Sequence, residues 1–214
     1  GTTFAWFTDT ASTGVNKIVS GNLDVKLMYS TDMQTWKEAT DQTKLFDDNA
    51  LWEPGYTQVV YLKIVNAGKL ALKYEAGFSK NYTSNRGKNV NGDWYRVDNY
   101  LKIGTAETTT KFANREDVWS AIAATEKTLA KDVMLTDGWI TLKAGESSKP
   151  FAVAIYMPTS VGNEANASRL RPSSVSGLGI EVRATQATVE SDSFGTDYDA
   201  NAATVLKRVE YTDG

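Results

Sequence analysis

Apolar and polar residues alternate with a period of two along much of this 214-residue chain. Side chains of a β-strand point alternately to opposite faces, so this period indicates strands with one buried face. The alternation is clear at 23–29, 70–78, 151–157 and 178–184. A further run at 57–65 is almost continuously apolar, as expected for a strand buried on both faces. The pattern predicts a mainly β fold, a single-domain antiparallel β-sandwich.

Turn residues suggest how some of these strands connect. The runs at 57–65 and 70–78 are separated only by a break at Asn66, Ala67 and Gly68, so we expect them to pair as an antiparallel hairpin. Asn91-Gly92 stands before another strand and predicts a two-residue hairpin turn.

One segment departs from the strand pattern. Asn114 can cap a helix, and the two acids in the following turn favour the helix dipole. Val118, Ile122 and Leu129 then recur at helical spacing. We therefore predict one helix, over about 114–130, inserted in the sandwich.

The residue types that are absent exclude whole classes of chemistry. The chain has no His and no Cys, which excludes Ser-His-Asp and Cys-His catalysis, histidine metal sites and disulfides. Its 23 basic and 26 acidic residues give a net charge of −3, which does not favour a nucleic-acid partner. No stretch approaches the ~20 apolar residues that a membrane helix needs. We predict that the protein is not an enzyme, has no membrane span and needs no cofactor.

The first residues are unusually aromatic, although chain termini are commonly polar. They either form a first strand in their own sheet or complete the sheet of a neighbouring copy by β-augmentation, which builds a fibre when repeated head to tail. We favour the second interpretation, with 1–10 as a donor strand and 11–214 as the sandwich. The expected anchors are Phe4, Ala5, Trp6 and Phe7.

Several segments resemble, in order, the TasA/camelysin family. They are FAWFTD at 4–9, SGNLDV at 20–25, EPG at 53–55, LKIVNAGKLALK at 62–73, MP at 157–158, GNE at 162–164 and LGIEVRATQ at 178–186. The match is poor over 81–131 and after Glu190, and Glu53 stands where lysine is expected.

The resemblance implies a protein that is secreted by way of a dedicated signal peptidase and forms extracellular fibres in a biofilm matrix. It also implies a jelly-roll-like sandwich whose identical subunits are joined by N-terminal donor strands. We expect the acceptor groove among the apolar residues of 57–65, 70–78 and 178–184. The family resemblance raises a metalloprotease as well, but the chain lacks the histidine ligands and the HExxH helix of such enzymes.

Two acidic clusters are candidate metal sites. In the loop 190–199, alternating oxygens around a glycine could bind calcium, the candidate ligands being Asp192, Asp197 and Asp199. The spacing is not that of an EF-hand, so we favour a solvated acidic loop. The cluster Asp47-Asp48-Asn49 is interpreted as a turn.

Exposed aromatic side chains could give a second function. Trp94 and Tyr95, beside Asp93, and Trp36 are candidates for stacking on sugars. The alternative, which we favour, is that they pack across strands, where aromatic residues are enriched. If the N-terminal strand folded onto its own sheet, the protein would be a monomeric cell-surface adhesin or a carbohydrate- or protein-binding module.

Overall fold

The computed structural model describes residues 15–78 and 81–187. The strands within these residues are β1 (Lys17–Val19), β2 (Val25–Ser30), β3 (Lys37–Glu38), β4 (Thr57–Asn66), β5 (Leu72–Phe78), β6 (Thr83–Asn85), β7 (Gly87–Lys88), β8 (Trp94–Tyr95), β9 (Lys102–Glu107), β10 (Lys127–Thr128), β11 (Ile140–Leu142), β12 (Phe151–Tyr156), β13 (Ser174–Ser176) and β14 (Ile180–Gln186). The helix α1 is Arg115–Ile122, and 3₁₀ turns span Val97–Tyr100 and Asn163–Ala165.

Two sheets face each other across the core. The four-stranded sheet has the order β1-β14-β5-β11, and the six-stranded sheet has the order β10-β9-β12-β4-β2-β3. Their neighbouring strands run antiparallel except β1 and β14, which are parallel. Small two-stranded sheets, β13-β6 and β7-β8, accompany them. The molecule is thus the mainly antiparallel β-sandwich that the alternation predicts.

The chain crosses from one sheet to the other between β4 and β5 and again between β5 and β9. The predicted hairpin between 57–65 and 70–78 is therefore wrong, because β4 pairs with β12 and β2 while β5 pairs with β14 and β11. The crossover is held by the buried Asn66, whose Nδ2 donates to the carbonyls of Leu70 (2.8 Å) and Leu142 (3.2 Å). Crossing lets the apolar faces of β4 and β5 meet in the core instead of lying side by side in one layer.

The core between the sheets is built by the alternate residues that the sequence pattern singles out. Leu27, Leu62, Leu72, Ile155 and Ile180 are all completely buried. Burying a large aliphatic side chain contributes roughly 1.5–3 kcal/mol. One cluster containing all five runs through both sheets, so the sandwich shares a single main core.

The helix α1 lies on the outer face of the six-stranded sheet. Its start is as predicted, because the Asn114 Oδ1 accepts a hydrogen bond from the Asp117 N–H at 2.9 Å. It ends at Ile122 rather than near residue 130. Beyond it the chain turns towards β9 and pairs with that strand as β10, and Leu129 enters the main core instead of a helix face.

Gly104 makes the close approach of α1 possible. A Cβ at this position in β9 would lie 2.8 Å from the Cβ of Ile122 and 3.0 Å from its carbonyl oxygen. Val118 and Ile122 pack with Ala154 and Tyr156 in a second buried cluster. The two β12 residues lie on the face of the sheet opposite the main core, so β12 is covered on both faces.

One lateral side of the sandwich, which we call the closed edge, is sealed by the segment 39–46 and Asn16. The Asn16 side chain is fully buried. Its Nδ2 donates to the carbonyls of Thr40 (2.9 Å) and Thr43 (2.8 Å), and its Oδ1 accepts from the Ile180 N–H (3.0 Å). Phe46 is buried there against Phe78, with the ring centroids 6.0 Å apart.

Candidate functional site

The predicted donor strand and the predicted calcium loop lie outside the described residues. This applies to the range 1–10, with the anchors Phe4, Ala5, Trp6 and Phe7, and to the loop residues Asp192, Asp197 and Asp199. The described residues do contain the body of the sandwich, where an acceptor for such a strand would lie.

The side of the sandwich opposite the closed edge has a broken strand edge. β11 covers only one end of β5, from Ile140 opposite Tyr74 to Leu142 opposite Leu72. The other end of β5 is covered by the segment 133–136, in which the Leu135 N–H donates to the Ala76 carbonyl at 2.8 Å. Between the segment 133–136 and β11, the chain moves away from β5. The outer border of the four-stranded sheet therefore consists of two short segments with a break between them.

The facing border of the six-stranded sheet is also incomplete. β9 pairs with β12 along its whole length, but β10 covers only Lys102 and Ile103 on its other side. Further along β9, the Thr125 hydroxyl makes the main-chain hydrogen bonds that a neighbouring strand would otherwise make. It accepts from the Thr105 N–H at 2.8 Å and donates to the Thr105 carbonyl at 2.8 Å.

A continuous groove runs between these two borders. A cavity of about 420 Å³ shares Thr105, Thr125, Leu135, Thr136 and Asp137 with a second cavity of about 260 Å³ that extends towards β10. We call these two connected cavities the edge groove. The remaining lining of the larger cavity comes from Tyr74, Glu107, Ile140, Thr141, Leu142, Glu146, Ser147, Ser148, Lys149 and Phe151.

The edge groove has a mixed lining, in which apolar side chains alternate with hydroxyl and charged groups. The apolar residues of the larger cavity are Leu135, Ile140, Leu142 and Phe151. Ile140 remains 38% exposed, and at the rim Met134 and Trp139 are 38% and 46% exposed. Deep in the groove, burial raises the pKa of the Tyr74 hydroxyl, although a hydrogen bond with Ser148 acts in the opposite direction. A groove that combines apolar positions with incomplete strand borders has the shape of sites that bind extended peptides.

The strands expected to form the acceptor, at 57–65, 70–78 and 178–184, are all interior, with a neighbour on each side. Of these, β5 contributes Tyr74 to the lining, but it offers no edge. The strand borders that flank the edge groove belong to β9 and β11. The exposure of Ile140 cannot be predicted from the alternation of apolar and polar residues, because it depends on which strands become neighbours in the fold.

The acidic residues of the described part of the chain do not form a metal site. No group of three or more His, Cys, Asp or Glu side chains is close enough to hold a metal within 15–78 and 81–187. The turn predicted at Asp47-Asp48-Asn49 is confirmed: the Asp47 Oδ1 accepts from the Asn49 N–H at 2.8 Å. The Asp48 carboxylate accepts from the Gly177 N–H at 2.8 Å and pairs with Lys44.

The aromatic candidates separate into packed and exposed side chains. Tyr95 is only 8% exposed, so the packing interpretation is confirmed for it. Trp36 is half-buried, with the Lys63 Nζ 4.5 Å from its ring centroid. Trp94 differs, because 47% of it is exposed.

Comparison with known proteins adds no family. No protein-family model matches the chain, and no curated protein matches it. Among solved structures, a PapD-like domain of human CEP192 aligns at 13% identity over 64% of this chain and 77% of that one, with a TM-score of 0.22. A family 123 glycoside hydrolase from Clostridium perfringens aligns at 13% identity over 63% of this chain, with a TM-score of 0.23, and the alignment spans only 21% of that enzyme. Within the described residues, no helix is long and apolar enough to cross a bilayer.

Proposed function

We propose that this chain is a structural subunit of an extracellular bacterial filament in a biofilm matrix. Each copy would donate its N-terminal segment, residues 2–9, to the edge groove of the next copy, which gives a head-to-tail homopolymer. The observation that carries the proposal is the edge groove itself, a partly apolar channel between two incomplete strand borders. The resemblance of the sequence to the TasA/camelysin family supports the same assembly and a secreted location.

The dimensions of the segment and the groove agree. β9, which borders the groove, has six residues and therefore spans about 20 Å, whereas residues 2–9 in extended form span about 26 Å. Phe4 and Trp6 would point to one face of the donated strand, and Ala5 and Phe7 to the other. Burying the three aromatic side chains would contribute roughly 5–9 kcal/mol before the costs of association.

The test is electron microscopy of negatively stained protein, comparing the intact chain with a segment variant, Phe4→Ser/Trp6→Ser/Phe7→Ser. We expect fibres from the intact chain and none from the segment variant. The matched control is Leu51→Ser/Leu170→Ser, which removes apolar side chains that are 64% and 92% exposed elsewhere on the surface. This control should still form fibres.

A second arm locates the acceptor. A synthetic peptide of residues 2–9 should bind the segment variant and raise its Tm, because ligands of the folded state stabilise it. If the intact chain is a compact monomer without fibres and the peptide has no effect, the donor-strand proposal is wrong. The monomeric cell-surface binding module, with the N-terminal strand folded onto its own sheet, would then be the better description.

A further inference from the structure

The β7-β8 hairpin has one face anchored in the protein and one face free. Gly87 and Tyr95 are a cross-strand pair and are both buried. A Cβ on Gly87 would lie 2.2 Å from the Ser173 nitrogen and 2.4 Å from the Arg171 carbonyl oxygen, so the backbone of the hairpin rests directly on that segment. The Lys88 N–H donates to the same Arg171 carbonyl at 2.7 Å. The hairpin is therefore held in one orientation.

The outer face of this hairpin carries cations and one tryptophan. Lys88 pairs directly with Trp94 across the strands, and Arg86 and Arg96 lie two positions away from them on the same face. Arg86, Trp94 and Arg96 are exposed and Lys88 is half-buried. We call these four side chains the cationic face.

The tryptophan positions two of the cations. The Arg86 guanidinium lies 4.3 Å from the Trp94 ring centroid, and the Lys88 ammonium lies 4.8 Å from it. Cation–π contacts of this kind hold flexible side chains in place without neutralising their charge. Arg96 is held separately, since its Nη1 donates to the Ser84 carbonyl at 2.7 Å.

The charge of this face is not compensated locally by ion pairs. Within 15–78 and 81–187, none of the salt bridges involves Arg86, Lys88 or Arg96. The neighbouring loop adds the exposed Arg169 and Arg171, on either side of Leu170. The chain as a whole has a net charge of −3, so this surface is a local excess of positive charge. Such an excess attracts anionic partners.

We propose that the cationic face binds an acidic polysaccharide, a polymer that carries one carboxylate on many of its sugar rings. Residues two apart on a strand are about 7 Å apart, which spaces the cations for separate carboxylates rather than for one compact anion. The exposed edge of Trp94 and the Leu170 side chain, which is 92% exposed, offer apolar contact to sugar rings. A duplex nucleic acid fits less well, because its binding domains are typically basic as a whole and this chain has a pI of about 5.1.

The experiment measures binding of alginate, a polyuronate, to the intact chain and to the segment variant by isothermal titration calorimetry at low and moderate salt. Neutral dextran and a short DNA duplex are the comparison ligands. We expect alginate to bind both proteins, more weakly as salt rises, and dextran not to bind. Because binding is measured with and without the aromatic segment, it is independent of fibre formation.

Two charge-matched variants test the location. Arg86→Gln/Lys88→Gln/Arg96→Gln should weaken alginate binding by about tenfold, since three modest ion pairs are lost. Lys37→Gln/Lys69→Gln/Lys111→Gln makes the same change in net charge at three exposed lysines elsewhere and should leave the affinity within about threefold. Equal losses in the two variants would overturn the proposal, as would the absence of alginate binding or tighter binding of the DNA duplex.

A third variant tests the role of the tryptophan. Trp94→Ala should weaken alginate binding although no charge is removed, because Arg86 and Lys88 lose the ring that holds them. Trp94→Phe, which keeps an aromatic face, should retain most of the affinity. Unchanged affinity in Trp94→Ala would show that the positioning role assigned to Trp94 is wrong.

Discussion

The two lateral sides of the sandwich differ in how completely their strand borders are covered. At the closed edge, a loop crosses from one sheet to the other and a buried asparagine satisfies the main-chain groups that meet there. At the edge groove, two incomplete strand borders face each other and Ile140, Met134 and Trp139 remain partly exposed. The two sides differ in their strand borders and not in exposed apolar surface alone, since Leu51 and Leu170 are more exposed and lie elsewhere. We propose binding at the edge groove because strand addition needs an incomplete border, and the other side has its main-chain groups satisfied.

The largest expected effect is at the closed edge. Asn16→Ala leaves the carbonyls of Thr40 and Thr43 and the N–H of Ile180 without their buried partner, so it should lower the free energy of unfolding by about 3 kcal/mol. Urea unfolding measures this. Asn99→Ala, at an exposed position, is the control and should change stability by less than about 0.5 kcal/mol. A similarly small effect of Asn16→Ala would mean that the closed edge does not depend on this side chain.

A smaller loss is expected where α1 meets β9, behind the edge groove. Gly104→Ala forces a Cβ against Ile122 and should cost about 1–3 kcal/mol through overpacking. Gly68→Ala is a suitable control, since its nearest atoms would be at an ordinary 3.5 Å. Thermal unfolding of both variants makes the comparison. Equal Tm values would show that the helix can move away from the sheet at little cost.

The edge groove itself should tolerate substitution without loss of fold. Ile140→Asp should change the free energy of unfolding by less than about 1 kcal/mol, because the residue is on an edge strand and already 38% exposed. It should nevertheless abolish fibres and the increase in Tm caused by the peptide of residues 2–9. Leu170→Asp, at a side chain that is 92% exposed, should affect neither property. If Ile140→Asp unfolds the protein, that side belongs to the core and is not open.

The last expected effect appears only at alkaline pH, and it involves neither side of the sandwich directly. Burial, with the Asp98 and Asp132 carboxylates, raises the pKa of Tyr82 to about 12, and burial with the Glu126 hydrogen bond raises the pKa of Tyr156 to about 12. An unfolded tyrosine titrates near 10, so between about pH 10 and 12 the folded protein binds more protons than the unfolded chain. Stability from these groups is therefore complete below pH ~10 and falls as the pH rises towards ~12.

Urea unfolding at several pH values across this window checks the alkaline prediction. Tyr82→Phe/Tyr156→Phe should make the decline in stability shallower, because a phenylalanine has no proton to lose. Tyr29→Phe, at a half-buried ring of β2, provides the comparison. An identical decline in the double variant would attribute the alkaline loss to other groups.

Much of the fold could be predicted from local pattern. The strand at 57–65, the strand that contains Val182 and Ala184, and the Asn114 cap are all where the sequence places them. The β7-β8 hairpin is also present, with Gly92 at a φ of +84°, although the Asn89 N–H to Asp93 carbonyl bond makes its loop three residues long. These features depend on side-chain alternation and turn chemistry, which act over a few residues.

Strand partners and the site could not be predicted in the same way. The helix was expected to continue to residue 130, but pairing of Lys127 with Ile103 competes with helix propensity and ends it earlier. The acceptor was expected at strands that prove to be interior, since the sequence does not show which strand lies at a border. The cationic face was also missed, because Arg86 and Trp94 come together only through the hairpin register.

The period-two alternation and the composition predict a β-sandwich without histidine or cysteine chemistry, because both are read from the residues without knowing which strands are neighbours. The sequence also places an aromatic segment at the start of the chain, the basis of the proposed donor strand. The folded arrangement shows which strands pair, that β4 and β5 lie in opposite sheets, and that one side is closed while the other keeps a groove. Those outcomes depend on contacts between distant residues, such as Asn16 with Ile180, whose free energies are gained only once the two sheets have met.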